Sequence, residues 1–324
     1  MKINSAFNVF LLKRLTSSLT LLVIAMSLVF FANRQIGDPA RMVLGNSASE
    51  EAVLAMRARM GLEDPILQQY GRYLKGLAVG DFGQTFRYGL SNSVNQGSDA
   101  QTRDVMPIAM ERLPATLFLA GATIAFSVLV ALPMGLYAAA KPRSPPDRII
   151  GVLSLAGVSI VEYWFALILV LVFAVHIAWL PTSGYGSFAH VILPAVALSL
   201  RPIGRITQIA RSAILDEMAK PYVTAAKGRG IPMHRIATFH ALKNAAIPIV
   251  TTIGDETINV ITGVIIIETI FGWPGIGALT VDALSIRDVP LVEATVFLLV
   301  LMVLAINLLV DLAYAFLNPR LRIR

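Results

Sequence analysis

Residues 113–140 read LPATLFLAGATIAFSVLVALPMGLYAAA, without one acidic or basic side chain. About 20 apolar residues in a helix cross a bilayer core of about 30 Å, so this stretch is long enough to span a membrane. Residues 15–33 (LTSSLTLLVIAMSLVFFAN) and 163–200 (YWFALILVLVFAVHIAWLPTSGYGSFAHVILPAVALSL) are equally free of Asp, Glu, Lys and Arg. Hydrocarbon offers no partner to a free backbone N–H or carbonyl, so such segments fold as helices. Of the 324 residues, 56% are hydrophobic and 15% charged, whereas soluble domains carry about 25% charged residues. The chain is read as an all-α, polytopic membrane protein.

Six spans are expected, at about 12–33, 112–137, 149–178, 190–214, 244–268 and 291–317. The net charge of +7 is sorted among the segments between them. Lys2, Lys13 and Arg14 precede the first span; Lys141, Arg143 and Arg148 follow the second; Lys220, Lys227, Arg229, Arg235 and Lys243 follow the fourth; Arg320, Arg322 and Arg324 end the chain. The 177–189 connection has no Lys or Arg, and the 269–290 connection has only Arg287. The positive-inside rule then places both termini in the cytoplasm and the 34–112 loop, with nine basic and nine acidic residues, outside. Three divisions follow: 1–33, the N-terminal segment and first helix; 34–111, an extracytoplasmic loop region; and 112–324, a five-helix core with a cytoplasmic loop at 215–243. A signal peptide is the alternative for the N-terminus. The apolar run exceeds the 7–15 residues usual for one, which favours a retained span.

In the outer loop, Ser49-Glu50-Glu51 followed by Val53, Leu54, Met56 and Met60 predicts a short amphipathic helix closed by Gly61. Asp64-Pro65 predicts the start of a second, with Pro65 at its first position. The Gly-, Ser- and Asn-rich stretch from Tyr88 to Arg103 reads as a loop.

Several catalytic classes are disfavoured. The chain has no cysteine, which removes disulfides, thiol catalysis and Cys-ligated metals. It has no Gly-x-x-x-x-Gly-Lys-[Ser/Thr] loop and no Gly-Lys pair, so it holds no phosphate cradle of that kind for ATP. His176, His190, His234 and His240 lack His-Glu-x-x-His spacing, and there is no Gly-x-Ser-x-Gly elbow. The expectation is a non-enzyme with no catalytic residue, no metal site and no cofactor of its own. Any ATP and Mg would sit on partner subunits.

The most informative loop runs DEMAKPYVTAAKGRGIPMHRI over residues 216–236, then FHALKNAAIP over 239–248. Ala225 and Ala226 admit close approach of a partner surface, Gly230 permits a sharp turn, and Pro232 starts a second helix. Two short helices joined at a glycine would make a projecting knob. A basic loop held by lipid headgroups is the alternative from composition alone.

Thr224-Ala225-Ala226, three residues and Gly230 resemble the EAA signature of bacterial ABC importer permeases, the loop that docks into the ATPase subunit. Tyr222 to Gly230 followed by His240-Ala241-Leu242-Lys243-Asn244-Ala245 and Ile247-Pro248 is similar to the dipeptide/oligopeptide/nickel permease family. Further matches, to the first of its two permease types, are Gly37-Asp38-Pro39-Ala40, Gly61-Leu62-Glu63-Asp64-Pro65 with Tyr70, and Gly80-Asp81-Phe82-Gly83. Glu268 to Gly277, Arg287-Asp288-Val289-Pro290, and Asn307 to Asp311 with Tyr314 and Asn318-Pro319-Arg320 complete the set. The resemblance implies a type I ABC importer permease fold with six transmembrane helices. It also implies a second homologous permease as heterodimer partner, two cytoplasmic ABC ATPase subunits and an extracytoplasmic solute-binding protein. Peptides or a related small solute would cross the inner membrane by alternating access. The coupling residues would be Tyr222, Thr224, Ala225, Ala226, Gly230, Ile231, Met233, His234, Ile236 and His240.

Charges inside spans are costly and mark pathways or buried pairs. At ~1.5 Å per residue, Glu162, Asp255 and Glu256 lie roughly 17–20 Å from the cytoplasmic ends of their spans, and Arg201 and Arg205 roughly 17–22 Å from the outer end. All five fall at overlapping depths. Arg201, Arg205, Gln208 and Ser212 share one helical face, as do Asp255, Asn259 and Thr262. Glu162, Arg201, Arg205, Gln208, Asp255, Glu256 and Asn259 are therefore the candidate translocation pathway, with a net acidic lining that would select a solute carrying a cationic group. Helix-to-helix pairing is the alternative role. The family resembled usually has an apolar or amide residue at the positions of Asp255 and Glu256, Ser-x-Pro near Glu162, and Arg at Gln208. Phe271, Trp273 and Pro274, in a glycine-rich turn that suits the membrane–water interface, are read as an outer gate. A different class, an ion-coupled secondary transporter or channel using the intramembrane carboxylates, would need no ATPase and leaves the 222–240 loop unexplained.

Overall fold

The computed structural model describes residues 2–35, 40–41, 49–59, 61–85 and 103–317. Residues 88–102 of the predicted outer loop, Gly37-Asp38-Pro39, Met60 and Asn318-Pro319-Arg320 lie outside these residues. In chain order the elements are α1 (Lys2–Gln35), α2 (Glu50–Arg59), α3 (Ile66–Val79), a two-residue antiparallel pair β1 (Gln84–Thr85) and β2 (Arg103–Asp104), and α4 (Val105–Ala140). There follow α5 (Pro145–Ser159), α6 (Glu162–Leu169) with a π-helical continuation to His176, α7 (Phe188–Met218), α8 (Pro221–Gly228), α9 (Met233–Arg235) with a π-helical extension over Ile236–Ala241 and a last turn at Leu242–Asn244, α10 (Ala246–Ile270), α11 (Ile276–Ser285) and α12 (Val289–Leu317).

Among the described residues, five segments are long and apolar enough to cross a membrane: Leu12–Arg34, Val105–Ala140, Phe188–Met218, Ala246–Ile270 and Val289–Ala313. The remaining expected span, 149–178, third in chain order, is not one helix. Its two halves, α5 and α6, meet at 101°. Ile160 and Val161 adopt extended backbone, and Glu162 enters the first turn of α6. The straight-helix depth for Glu162 therefore does not hold. The helix that contains the second expected span, 112–137, starts earlier, at Val105, where the β1–β2 pair feeds directly into α4.

The chain divides into two compact units. One comprises residues 1–14, 117–273 and 303–324. Apolar association supplies little between helices in lipid, so small residues that let backbones meet become the packing device. A Cβ on Gly157 would lie 2.7 Å from the carbonyl oxygen of Leu200, and one on Gly204 would lie 2.3 Å from that of Ser154. These two glycines seat α5 on α7. Gly135 does the same for α4, where a Cβ would lie 2.8 Å from that of Ala210. Ala139, Ala210, Ile214, Ala241, Ala245 and Ile249 form a buried cluster joining α4, α7 and α10 through the segment that precedes α10. Arg14 of α1 pairs with Asp311 of α12.

The second unit comprises residues 15–116 and 274–302. Ser49 accepts a hydrogen bond from the N–H of Ala52 and starts α2, and Gly61, at φ 62°, closes the turn that follows. The helix is less amphipathic than its sequence suggests: Val53 is buried but Leu54 is exposed. Pro65 is the cap of α3 rather than its first residue, with extended ψ of 142°. Tyr70 and Tyr73 pack on Phe30 of α1; the Ser27 and Tyr70 hydroxyls hydrogen-bond at 2.7 Å and the Tyr73 hydroxyl donates to the carbonyl of Met26. Burial pushes the Tyr73 phenol well above its ordinary range. Val105, Ala109, Ile276, Leu279, Leu291 and Leu298 form the core of this unit.

Candidate functional site

Two places in the first unit gather residues singled out by the sequence. The first is the bend between α5 and α6. A cavity of about 410 Å³ opens there, lined by Glu162, Tyr163, Arg201, Asn259, Thr262 and Gly263 with apolar walls from Ile160 and Ile266. Three helices supply the polar members. Glu162 stands on the first turn of α6, Arg201 at mid-length on α7, and Asn259 and Thr262 on one face of α10. Gly263 is what admits the Glu162 carboxylate, since a Cβ there would meet its Oε2 at 2.5 Å.

Glu256, one helical turn before Asn259, is 3% exposed. Its Oε2 faces the Arg201 Nε at 3.7 Å and accepts no hydrogen bond. Glu162 lies within electrostatic reach of both Arg201 and Glu256. Arg205 and Asp255 act on Glu256 in the same way, but neither lines the cavity. Consecutive helical residues point about 100° apart, so Glu256 turns into the helix contact while Asp255 is exposed. Gln208 is half-buried on α7, also away from the cavity. The structure thus brings four of the seven candidate residues together, namely Glu162, Arg201, Glu256 and Asn259. Gly263 and Tyr163 were not read from the sequence. A glycine one residue beyond a polar stripe was the available signal for Gly263; Tyr163 becomes a lining residue only through the bend.

The second place is the 219–245 loop. Pro221 sets the first turn of α8, which ends at Arg229. Gly230, at φ 78°, reverses the chain in open space, and Pro232 caps α9. Two short helices do meet at a glycine. Thr224, Ala225, Met233, His234, Phe239 and His240 are exposed, Tyr222, Ala226 and Ile231 are half-buried, and Val223, Ile236 and Ala237 are buried. Ile236, at 0% exposed, packs inward and presents no surface to a partner. The base of the loop is fixed by Glu217 at the end of α7. It pairs with Lys220 and accepts a hydrogen bond from the Tyr222 hydroxyl at 3.1 Å, which Asn244 in turn contacts at 3.3 Å. The carboxylate beside it raises the Lys220 pKa.

The 271–277 turn differs from expectation. Phe271 and Trp273 are 2% and 1% exposed, so neither ring is offered to the membrane surface. Gly272 takes φ 55°, the Phe271 carbonyl accepts from the N–H of Gly184 at 3.0 Å, and Trp273 packs edge-on against Tyr185 with centroids 4.8 Å apart. The positive-φ turn buries both aromatics, with Trp273 set against Tyr185. Pro274 is half-buried.

A helical membrane chain with a polar cavity among its spans and a small-residue loop between Phe188–Met218 and Ala246–Ile270 has the architecture of a transporter permease. The sequence matches the family described as binding-protein-dependent transport system inner membrane component over residues 131–323, and the N-terminal part of such components over residues 7–120. It is 32% identical over 314 residues to the glutathione transport system permease protein GsiC of Salmonella paratyphi A, covering 97% of this chain and 98% of that protein. GsiC of Escherichia coli K12 is 31% identical over the same lengths. Among solved structures, a chain of the MetNI methionine ABC transporter, in inward-facing conformations, shares the fold at a TM-score of 0.55 with 16% identity, over 66% of this chain and 97% of that one. The chain belongs to the family of binding-protein-dependent inner-membrane components, as an ABC importer permease of the peptide/oligopeptide type.

Proposed function

We propose that this permease moves a peptide-type solute inward by alternating access, and that separate ATPase subunits drive it through the 222–240 loop. The observation that carries the coupling is the geometry of that loop. Two short helices project around Gly230 with small and apolar side chains exposed, Ala225, Met233 and Phe239 among them. Exposed apolar residues on a basic, solvent-facing loop favour a protein partner over water. Its base is tied to α7 by Glu217, Lys220 and Tyr222, and its C-terminal end runs into α10. A push on the loop is therefore delivered to the two helices that carry Arg201 and Asn259. Rigid-body movement of packed helices is the kind of transition that converts such a push into a change of access.

The relatives are named as glutathione permeases, which supports a solute of peptide character. The remaining partners would be a second, homologous permease completing a heterodimer and an extracytoplasmic solute-binding protein. ATP and Mg would be bound by the ATPases and not by this chain.

Co-purification with a P-loop ATPase tests the docking site. Arg in place of Gly230 adds both bulk and a side chain disfavoured at positive φ; Ala225→Arg adds bulk alone on an exposed helical position. Both variants are expected to lose the ATPase while staying in the membrane. Retention of the ATPase by both would refute docking at this loop.

A further inference from the structure

The cavity at the α5–α6 bend holds opposite charges that are not satisfied by each other. Glu162 has no ion pair within hydrogen-bonding distance among the described residues, and Arg201 has only the long contact at 3.7 Å to Glu256. The Arg201 guanidinium carries five donors and commits none of them to a hydrogen bond among the described residues. Both groups stand on spans of a membrane protein, where an uncompensated charge is expensive. Purely structural pairing would bring Glu162 onto Arg201 directly. Instead the two face a shared space, with the Asn259 amide beside them and apolar walls around.

We propose that this cavity is a solute site for a zwitterion, in which Glu162 receives an ammonium group and Arg201 a carboxylate. The site rests on the permease reading above and names the chemistry its solute must have. A charge-assisted hydrogen bond to each group would replace the water that a free carboxylate and guanidinium hold, and the planar guanidinium fits a carboxylate with two parallel donors. Asn259 has donor and acceptor to offer the peptide group between the two ends. The volume of about 410 Å³ falls in the range of small-molecule sites, about 300–1,000 Å³. Glu256 keeps a different task. Being 3% exposed, it holds the Arg201 side chain toward the cavity without saturating it. The bend itself is part of the device, because a straight helix through 149–178 would leave no gap beneath Glu162.

The test uses the assembled permease and ATPase complex in nanodiscs, with the binding protein omitted from the binding step so that its own selectivity does not intervene. Equilibrium binding is measured for radiolabelled glutathione, for dialanine, and for the N-acetyl derivative of each, which lacks the cation. The unmodified complex is expected to hold at least one of the free peptides about tenfold or more tighter than its N-acetyl form, as loss of one charge-assisted bond implies. Glu162→Gln is expected to abolish that preference. Gly263→Ala, which keeps the charge but displaces the Glu162 carboxylate, is expected to reduce it. No saturable binding of either free peptide, equal binding of free and acetylated forms, or a preference that survives Glu162→Gln would overturn the zwitterion site. Stimulation of ATP hydrolysis by the solute-loaded binding protein is measured in parallel on the same variants. If it is present while the binding preference is absent, the site is wrong and the permease reading stands; if the unmodified complex shows none, the permease reading itself fails.

Discussion

Asp147 accepts hydrogen bonds from the Arg143 N–H at 2.8 Å and from Arg211 at two nitrogens, 2.5 and 2.8 Å away, while Ser144 accepts from its own N–H at 3.4 Å. Ser144 thus caps α5, while the Asp147 carboxylate holds the Arg143 turn at φ 64° and ties α5 to α7. Asp147 is 5% exposed and the Arg211 side chain 34% exposed, so water screens one partner only in part. Asp147→Ala should cost about 1–3 kcal/mol, and Arg211→Lys less, since an ammonium cannot bridge both oxygens. Thermal unfolding of the detergent-solubilised protein should show a midpoint several degrees lower for Asp147→Ala; an unchanged midpoint would remove the pair from what secures α5. This cap was not read from the sequence; the capping-box spacing of Ser144-Pro145-Pro146-Asp147, with prolines at the helix start, was the available signal. Arg211 stands 64 residues further on, and no local pattern announces the partnership.

At the scale of elements, the bend between α5 and α6 decides more than any single residue. The segment Val158-Ser159-Ile160-Val161-Glu162-Tyr163 holds neither proline nor glycine, the usual marks of a break, so periodicity reads through it as one span. The break exists because α5 is held elsewhere: Gly157 and Gly204 bring its backbone against α7, and Arg211 anchors its start. Gly204→Val is therefore expected to act on the bend as well as on the helix contact. Its Cβ alone would lie 2.3 Å from the Ser154 carbonyl oxygen and 2.9 and 3.2 Å from the Val158 Cγ2 and backbone nitrogen, so backbone has to shift and not a side chain alone. A fall in the yield of folded protein, with solute transport lost in whatever folds, is the expected outcome; wild-type yield and transport would show that α5 can move away from α7 without consequence. Gly121, where nothing lies within 4 Å, supplies the control, since Gly121→Ala should be silent in both measurements.

For the whole molecule, the sorting of charge gives a topology that can be read directly because the chain has no native cysteine. Leu67→Cys, at a position 79% exposed on α3, should react with a membrane-impermeant maleimide in spheroplasts. Lys141→Cys, exposed beyond the end of α4, should react only once the membrane is opened. Reversed labelling would invert the orientation that the positive-inside rule assigns. Length, apolar runs and charge order determined that this chain is a helical membrane protein with a small-residue loop between its fourth and fifth apolar segments, because spanning a bilayer imposes a helix of fixed minimum length on any such sequence. The same reading placed five charges at overlapping depths but could not say which of them meet. That was decided by the tertiary structure: the 101° bend, the inward turn of Glu256 against the outward turn of Asp255, and the room that Gly263 leaves for Glu162 all arise from contacts between helices far apart in the chain. Depth in a membrane follows from counting along one helix, whereas the facing of side chains depends on how each helix is rotated and broken against its neighbours.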